Sequence, residues 1–127
     1  MKNIRIYLIA LLSLLAFACE DYLINLDEFD NVALYEDDAR AVLSQLEAKQ
    51  DIVLVDPPRA GLDRHVLDGI VGLNPGVIAY VSCDPATLAR DAARLIKGGY
   101  DLVDVTPFDL FPQTYHIESI SLFELKE

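Results

Sequence analysis

Two short apolar runs, each stopped by a turn and joined through a helix, constrain this chain more than any other feature. Asp51-Ile52-Val53-Leu54-Val55 is a β-branched run closed by Asp56-Pro57-Pro58. A run that is apolar on both faces suits a central strand of a parallel sheet. The prolines stop it, because they cannot donate to the ladder. Val77-Ile78-Ala79-Tyr80-Val81 is a second such run. Between the two, Asp63 to Gly72 carries Val66, Leu67, Ile70 and Val71 on one side of a helix, and Pro75-Gly76 then makes a turn.

The flanking stretches extend the pattern. Asn31-Val32-Ala33-Leu34-Tyr35 is a short strand candidate. Asp38 suits the N-cap of a helix over Ala39 to Lys49, with Ala39, Val42, Leu43 and Leu46 at helical spacing. Pro85 suits the first turn of a helix running to about Lys97, with Leu88, Ala92, Leu95 and Ile96 apolar and Gly98-Gly99 at its end. Tyr100 to Thr106 reads as a strand, Phe108 to His116 as an aromatic, proline-punctuated loop, and Ile117 to Leu125 as a closing strand. This order implies an α/β fold with a mostly parallel sheet. Ligands of such sheets sit at the carboxyl ends of strands. Asp38, Asp56 and Cys83 each follow a strand directly, so all three are expected on one rim.

With 127 residues, 53% of them apolar, the chain can form one domain with an ample core. Its formal net charge of −11 opposes phosphate backbones. An RNA role therefore needs basic surface from elsewhere or a local patch such as Arg59, Arg64, Arg90, Arg94 and Lys97, which equally reads as solvated loop and helix charge. Cys19 and Cys83 are the 2 cysteines. They make no disulfide framework, no metal-ligand spacing accompanies them, and no metal site is expected.

Residues 1–20 follow a different logic. Lys2 and Arg5 precede an apolar run from Ile6 to Ala18, and Ala16-Phe17-Ala18 offers small residues at alternate positions before Cys19. That layout resembles a bacterial lipoprotein signal, in which Cys19 would be lipidated and residues 1–19 would touch a membrane. A buried helix or strand of the fold is the other reading. Residues 21–30 are acidic, aperiodic and junction-like.

From Asn31 onward the chain resembles the catalytic part of the S-adenosylmethionine-dependent RNA uracil-C5 methyltransferases. The resemblance rests on Asp56-Pro57-Pro58-Arg59-Ala60-Gly61-Leu62, on Val81-Ser82-Cys83-Asp84-Pro85-Ala86-Thr87-Leu88-Ala89-Arg90-Asp91 and on Phe108-Asp109-Leu110-Phe111-Pro112-Gln113-Thr114-Tyr115-His116-Ile117-Glu118, in that order. It implies a Rossmann-like class I methyltransferase sheet over residues 31–127 and S-adenosyl-L-methionine as methyl donor. The substrate it implies is a uridine in rRNA or tRNA, reached by base flipping. It also implies cytoplasmic work, whereas the signal-like start implies export.

The resemblance makes Cys83 the nucleophile and Glu118 the base. Asp38 would face the adenine side of the donor, and Asp56 its methionine side and the target base. Arg59 and His116 become pocket residues, with Phe108, Phe111 and Tyr115 holding the base or packing in the core. The chemistry suits the residue types. Uracil C5 is a poor nucleophile until a thiolate adds at C6, and a carboxylate can then remove the C5 proton. Cys83 lies just before a helix N-terminus, which favours negative charge. The plain alternatives are an inert buried thiol, a strand-start surface acid, an N-cap for Asp38 and a strand-end turn acid for Asp56.

The chain departs from the family in three ways. Asp84 stands where Asn is common. No glycine lies before Gly61, so the glycine-rich turn that cradles the donor is missing. The two strands that would centre the sheet are missing too, which leaves the Val32 strand without a neighbour unless the apolar start substitutes. The sheet is therefore expected to be incomplete, with C-terminal strands and helices only, as in a fusion, a truncated reading frame or a degenerate relative.

Overall fold

The computed structural model describes residues 6–10, 35, 37–46 and 50–127. A five-stranded sheet runs in the order β1-β2-β3-β5-β4. The strands are β1 (Ile6–Ala10), β2 (Ile52–Asp56), β3 (Val77–Ser82), β4 (Tyr100–Phe108) and β5 (Glu118–Leu125). The helices are α1 (Ala39–Gln45), α2 (Arg64–Leu73) and α3 (Pro85–Lys97). β1, β2 and β3 are parallel neighbours, whereas β5 is antiparallel to both β3 and β4.

β1 comes from within the signal-like segment and pairs from Ile6↔Ile52 to Ala10↔Asp56. Its place in the sheet is the strand reading of that segment. Cys19, the junction at 21–30 and residues 31–34 of the Asn31 strand candidate lie outside the described residues. No described helix is long and apolar enough to cross a membrane.

One face of the sheet carries the core. Val53, Val55, Ile78, Tyr80 and Phe123 project into a single cluster with Leu43 of α1, Val66, Leu67 and Ile70 of α2, and Ala92 and Leu95 of α3. Burying each large side chain contributes roughly 1.5–3 kcal/mol, so this cluster supplies most of the driving force. The opposite face is less covered: Ile52, Leu54, Val77, Ala79 and Val81 are only half-buried. The expectation of central strands covered on both faces is thus met on one face only among the described residues.

Local chemistry ends each helix. The Asp63 side chain accepts from His65 N–H at the start of α2. At the other end Asn74, in the left-handed region, closes it, a residue type that tolerates this conformation. Gly99 takes φ +103° after α3, which only glycine adopts freely. On β4 only Tyr100 is buried. The strand lies at the sheet edge with Asp101, Asp104 and Pro107 and a register shift between Leu102 and Asp104. Charge, proline and irregularity all discourage further edge pairing.

Candidate active site

The site forms where β3 ends and β5 begins. These strands are antiparallel, with Ser82 opposite Ser119. Cys83 follows Ser82 and Glu118 precedes Ser119, so the pairing brings both residues to one end of the sheet. Side-chain alternation, carried one residue past β3, puts both on the face of Val81 and Ile120. An open cavity of about 440 Å³ sits there, lined by Arg59, Cys83, Phe111, His116 and Glu118. Four residues singled out in the sequence thus share one cavity. Phe111, considered only as a base-holding or core aromatic, lines it as well. Phe108 is paired with Glu118 on the neighbouring strand and does not line it.

A tight turn holds Cys83. The Ser82 hydroxyl donates to the Asp84 carbonyl at 3.0 Å and accepts from the Asp84 N–H at 3.1 Å. Asp84 then caps α3, its Oδ1 accepting from Ala86 N–H at 3.0 Å and Thr87 N–H at 2.9 Å. The Thr87 amide, with a smaller contribution from Ala86, holds the Asp84 carboxyl below its ordinary value of 3.8. This arrangement modifies the sequence expectation for the thiol. The N–H groups opening α3 are engaged by Asp84, so its carboxylate, not the sulfur, receives most of the benefit of the helix terminus. The half-buried Cys83 thiol is free.

Arg59 lines the cavity beside this turn. Its Nε lies 3.8 Å from Asp84 Oδ2, and its guanidinium carbon sits 5.8 Å from the centre of the Tyr115 ring. Tyr115 in turn leans on His116 with ring centres 4.3 Å apart, and Phe111 meets His116 edge-on at 6.2 Å. The aromatic strip is solvent-facing: Tyr115 is 80% exposed and Phe111 52%. Of the two roles left open for these aromatics, the core role is excluded for Phe111 and Tyr115.

Asp56 and Asp38 do not line this cavity. Asp56 ends β2, exposed, at the same end of the parallel pair as Cys83. Asp38 caps α1 and is exposed. Its carboxylate accepts from Arg40 N–H at 2.9 Å and from the Arg40 side chain at 3.0 and 3.2 Å, which lowers its pKa, the Arg40 side chain acting most. Asp56 and Cys83 thus stand at the same end of neighbouring parallel strands, whereas residues 31–34, expected as the strand before Asp38, lie outside the described residues. Asp56 terminates β2 and Asp38 caps α1. The candidate basic patch is also largely neutralised: Arg59 faces Asp84, Arg64 lies 3.6 Å from Asp68, and Arg90 lies 2.8 Å from Asp91. Among the described residues no cluster of three or more His, Cys, Asp or Glu side chains could hold a metal.

A buried network behind the cavity escaped the sequence reading. Asp91 is fully buried, and its Oδ2 accepts from Leu62 N–H at 2.8 Å and from the Tyr80 hydroxyl at 2.7 Å. Burial first, and then the Asp91 carboxylate, push the Tyr80 phenol well above its ordinary value of 10.0. The signal was present: Asp91 lies in register with Leu88, Ala92 and Leu95 on the apolar side of α3.

The profile of the tRNA (uracil-5-)-methyltransferase family matches residues 2–126. The chain belongs to this family. The match takes in β1 as well as the three motifs. An RNA methyltransferase of Halalkalibacterium halodurans is 46% identical over 104 residues, 80% of this chain and 23% of the relative. One of Bacteroides thetaiotaomicron is 40% identical over 115 residues, 86% of this chain and 25% of the relative. The tRNA (uracil-54, C5)-methyltransferase of Pyrococcus abyssi, solved in complex with S-adenosyl-L-homocysteine, superposes with a TM-score of 0.58 at 38% identity. That match covers 68% of this chain and 21% of the Pyrococcus protein. The chain thus spans about a quarter or less of the length of these relatives. Its sheet and helices resemble part of a class I methyltransferase fold.

Proposed function

We propose that this chain carries the reaction centre of an RNA uracil-C5 methyltransferase, with Cys83 as nucleophile and Glu118 as base. The observation that supports this most is the shared cavity: Arg59 after β2, Cys83 after β3, and His116 with Glu118 at the start of β5 converge on it. In the proposed reaction the Cys83 thiolate adds to uracil C6, and the ring electrons collect at C5. S-Adenosyl-L-methionine supplies the methyl group as an electrophile and retains the sulfur–carbon electron pair. The Glu118 carboxylate takes the C5 proton. The pair released at C5 re-forms the C5–C6 double bond and expels the thiolate. Arg59 offers a positive charge to the ring oxygens or an adjoining phosphate. The exposed Tyr115 and Phe111 offer faces for a base lifted from its stack.

The described residues do not by themselves enclose the donor. Asp38 is occupied by Arg40, Asp56 stands outside the cavity, and no glycine precedes Gly61. Asp56 remains the residue best placed to meet the donor, because it ends the strand beside β3. Methyl transfer by this chain is accordingly proposed to require further protein that supplies the donor cradle and the RNA-reading surface.

RNA containing 5-fluorouridine, together with the donor, provides the test. Fluorine at C5 cannot leave as a proton, so the thiol adduct persists. The 127-residue chain is assayed alone and fused behind the upstream portion of the Halalkalibacterium relative. A covalent adduct that forms in the fusion and vanishes in Cys83→Ala supports the reading. A folded fusion without an adduct refutes it. Glu118→Gln should form the adduct on ordinary uridine and stall there, since only proton removal is lost.

The lipoprotein reading retains the layout of Lys2, Arg5 and the apolar run before Cys19. An intact Met1 in a soluble fraction, seen by mass spectrometry, would eliminate it.

A further inference from the structure

The cavity wall that carries Arg59 belongs to a loop, and the loop is gripped from behind. Residues Pro57 to Leu62 leave β2 without regular structure, and Gly61 N–H closes a turn on Pro58 C=O at 2.8 Å. α3 holds this loop at successive points. The Thr87 hydroxyl donates to Arg59 C=O at 3.1 Å. Arg90 Nη2 donates to Ala60 C=O at 2.9 Å and to Leu62 C=O at 3.4 Å. Asp91 Oδ2 accepts from Leu62 N–H, and Asp91 Oδ1 fixes Arg90 Nε at 2.8 Å. Tyr80 of β3 donates to the same buried carboxylate.

Gly61 shows how closely the loop is drawn in. Its φ is +75°, and a Cβ there would fall 2.5 Å from Arg90 Nη2 and 2.6 Å from Asp91 Oδ2. A buried carboxylate is costly unless its hydrogen bonds are made. Here the partners that satisfy it are the Leu62 N–H of the loop, Tyr80 of β3, the strand that Cys83 follows, and the arginine that clasps the loop. The loop in this position supplies one of the hydrogen bonds that the buried carboxylate needs. The carboxylate ties the Arg59 wall to the strand that delivers Cys83.

We propose that Asp91 is a positioning residue: through Leu62 N–H and Arg90 it holds the Pro57–Leu62 loop so that the Arg59 guanidinium stays at the cavity that Cys83 also lines. This inference rests on the proposed function only for the use made of Arg59, the recognition of an anionic or oxygen-rich group of the substrate. The positioning itself can be read without RNA or methyl donor.

The probes are iodoacetate and iodoacetamide, which alkylate the same thiolate and differ in charge. Their rate ratio at Cys83, followed by mass spectrometry of the Cys83 peptide in the full chain, cancels the thiolate fraction. It reports the local positive potential at the sulfur. Arg59→Gln is expected to lower the iodoacetate-to-iodoacetamide ratio by about two- to fivefold, the effect of one nearby charge at a partly exposed site. Asp91→Asn should lower it to the same extent, and the double variant no further. Thr87→Val should lower it in part, and Thr87→Ser, which keeps the hydroxyl, should restore it.

Alkylation through unfolded molecules would also lower the ratio, so it is compared only under conditions where each variant's unfolding transition shows a negligible unfolded fraction. A normal ratio in folded Asp91→Asn, beside a lowered ratio in Arg59→Gln, overturns the positioning role and leaves the proposed chemistry standing. If Asp91→Asn shows no cooperative unfolding transition, Thr87→Val decides by the same criterion. A normal ratio in Arg59→Gln removes both this inference and the role given to Arg59. The Cys83–Glu118 chemistry then stands or falls separately on the fluorouridine adduct.

Discussion

The two walls of the cavity are built differently. The Cys83 and Arg59 side rests on β3, α3 and a loop tied down by the Asp91 network, with Tyr80, Leu95 and Ile78 almost wholly buried in the core behind the sheet. The side that carries Phe111 and His116 is a segment between two antiparallel strands. Its own bonds are local: Thr114 N–H and hydroxyl to Phe111 C=O, and His116 N–H to the Thr114 hydroxyl. Leu110, Phe111, Tyr115 and Ile117 are all exposed there. Few buried apolar contacts and local bonding place a segment at the low-stability end of a fold. Cys83 is thus carried by a well-packed framework, whereas the aromatic wall can adjust to what enters.

The largest effect expected from this contrast is a pair of phenylalanines. Phe123 is fully buried where β5 passes between β3 and β4, and truncating a buried Phe costs about 3–5 kcal/mol. Phe123→Ala should abolish or greatly lower the thermal transition. Phe111→Ala, on the exposed wall, should change stability by no more than about 0.5 kcal/mol. Equal losses in calorimetry would show that the aromatic segment is as integral to the core as the strands.

Next in size is Gly61→Ala, which strikes the rigid wall at its tightest point. The left-handed backbone alone costs a non-glycine residue on the order of 1–3 kcal/mol, and the added Cβ would also displace Arg90 or Asp91. A destabilisation of at least about 1 kcal/mol is expected, together with faster alkylation of Cys83. Unchanged unfolding in urea would mean that the loop is not held against α3.

These contrasts also explain what could be read in advance. The Val53 and Ile78 strands, the stop at Pro57-Pro58, the caps Asp63 and Asp84 and the first-turn Pro85 are local signals, legible without a fold. The insertion of β5 between β3 and β4 is not local. Nothing in the Glu118–Leu125 pattern states which strand it will join. Cys83 and Glu118 were therefore linked in the sequence only through a family likeness, and the Ser82↔Ser119 register is the physical reason they meet. The apolar run at Ile6–Ala10 fits an export signal and a buried strand equally, because periodicity does not separate the two. Asp91 was legible as a charge on an apolar helix face but had no visible partner, since Leu62 and Tyr80 reach it only in three dimensions.

A smaller effect follows from Asp84, which joins the Cys83 turn to α3 and Arg59. Its carboxyl is held below 3.8 by the Thr87 and Ala86 amides. A group whose pKa is depressed by folding adds stability that is present in full above its unfolded value and is lost as pH falls through its folded value. The thermal midpoint should therefore decline as the solution is acidified past 3.8 and on below it. Asp84→Asn keeps a capping oxygen but cannot titrate, so its decline should be shallower. Asp38 and Asp63, also lowered, keep titrating in the variant. Parallel acid profiles for the two proteins would show that the Asp84 cap adds no pH-dependent stability.

The smallest effect tests how dry the rigid side is. Ser121 lies opposite Tyr80 in the β3–β5 ladder and is fully buried, yet its hydroxyl has no partner among the described residues. A hydroxyl removed from water without a hydrogen bond costs about 1–3 kcal/mol, a burden that alanine does not carry. Against that stand a small loss of packed volume and alanine's weaker preference for strands. Ser121→Ala should thus leave stability unchanged or raise it by up to about 1 kcal/mol. A loss greater than that would reveal a buried water or side chain bonded to Ser121. The core behind the sheet would then be wetter, and its support of the Cys83 turn looser, than the contrast between the walls requires.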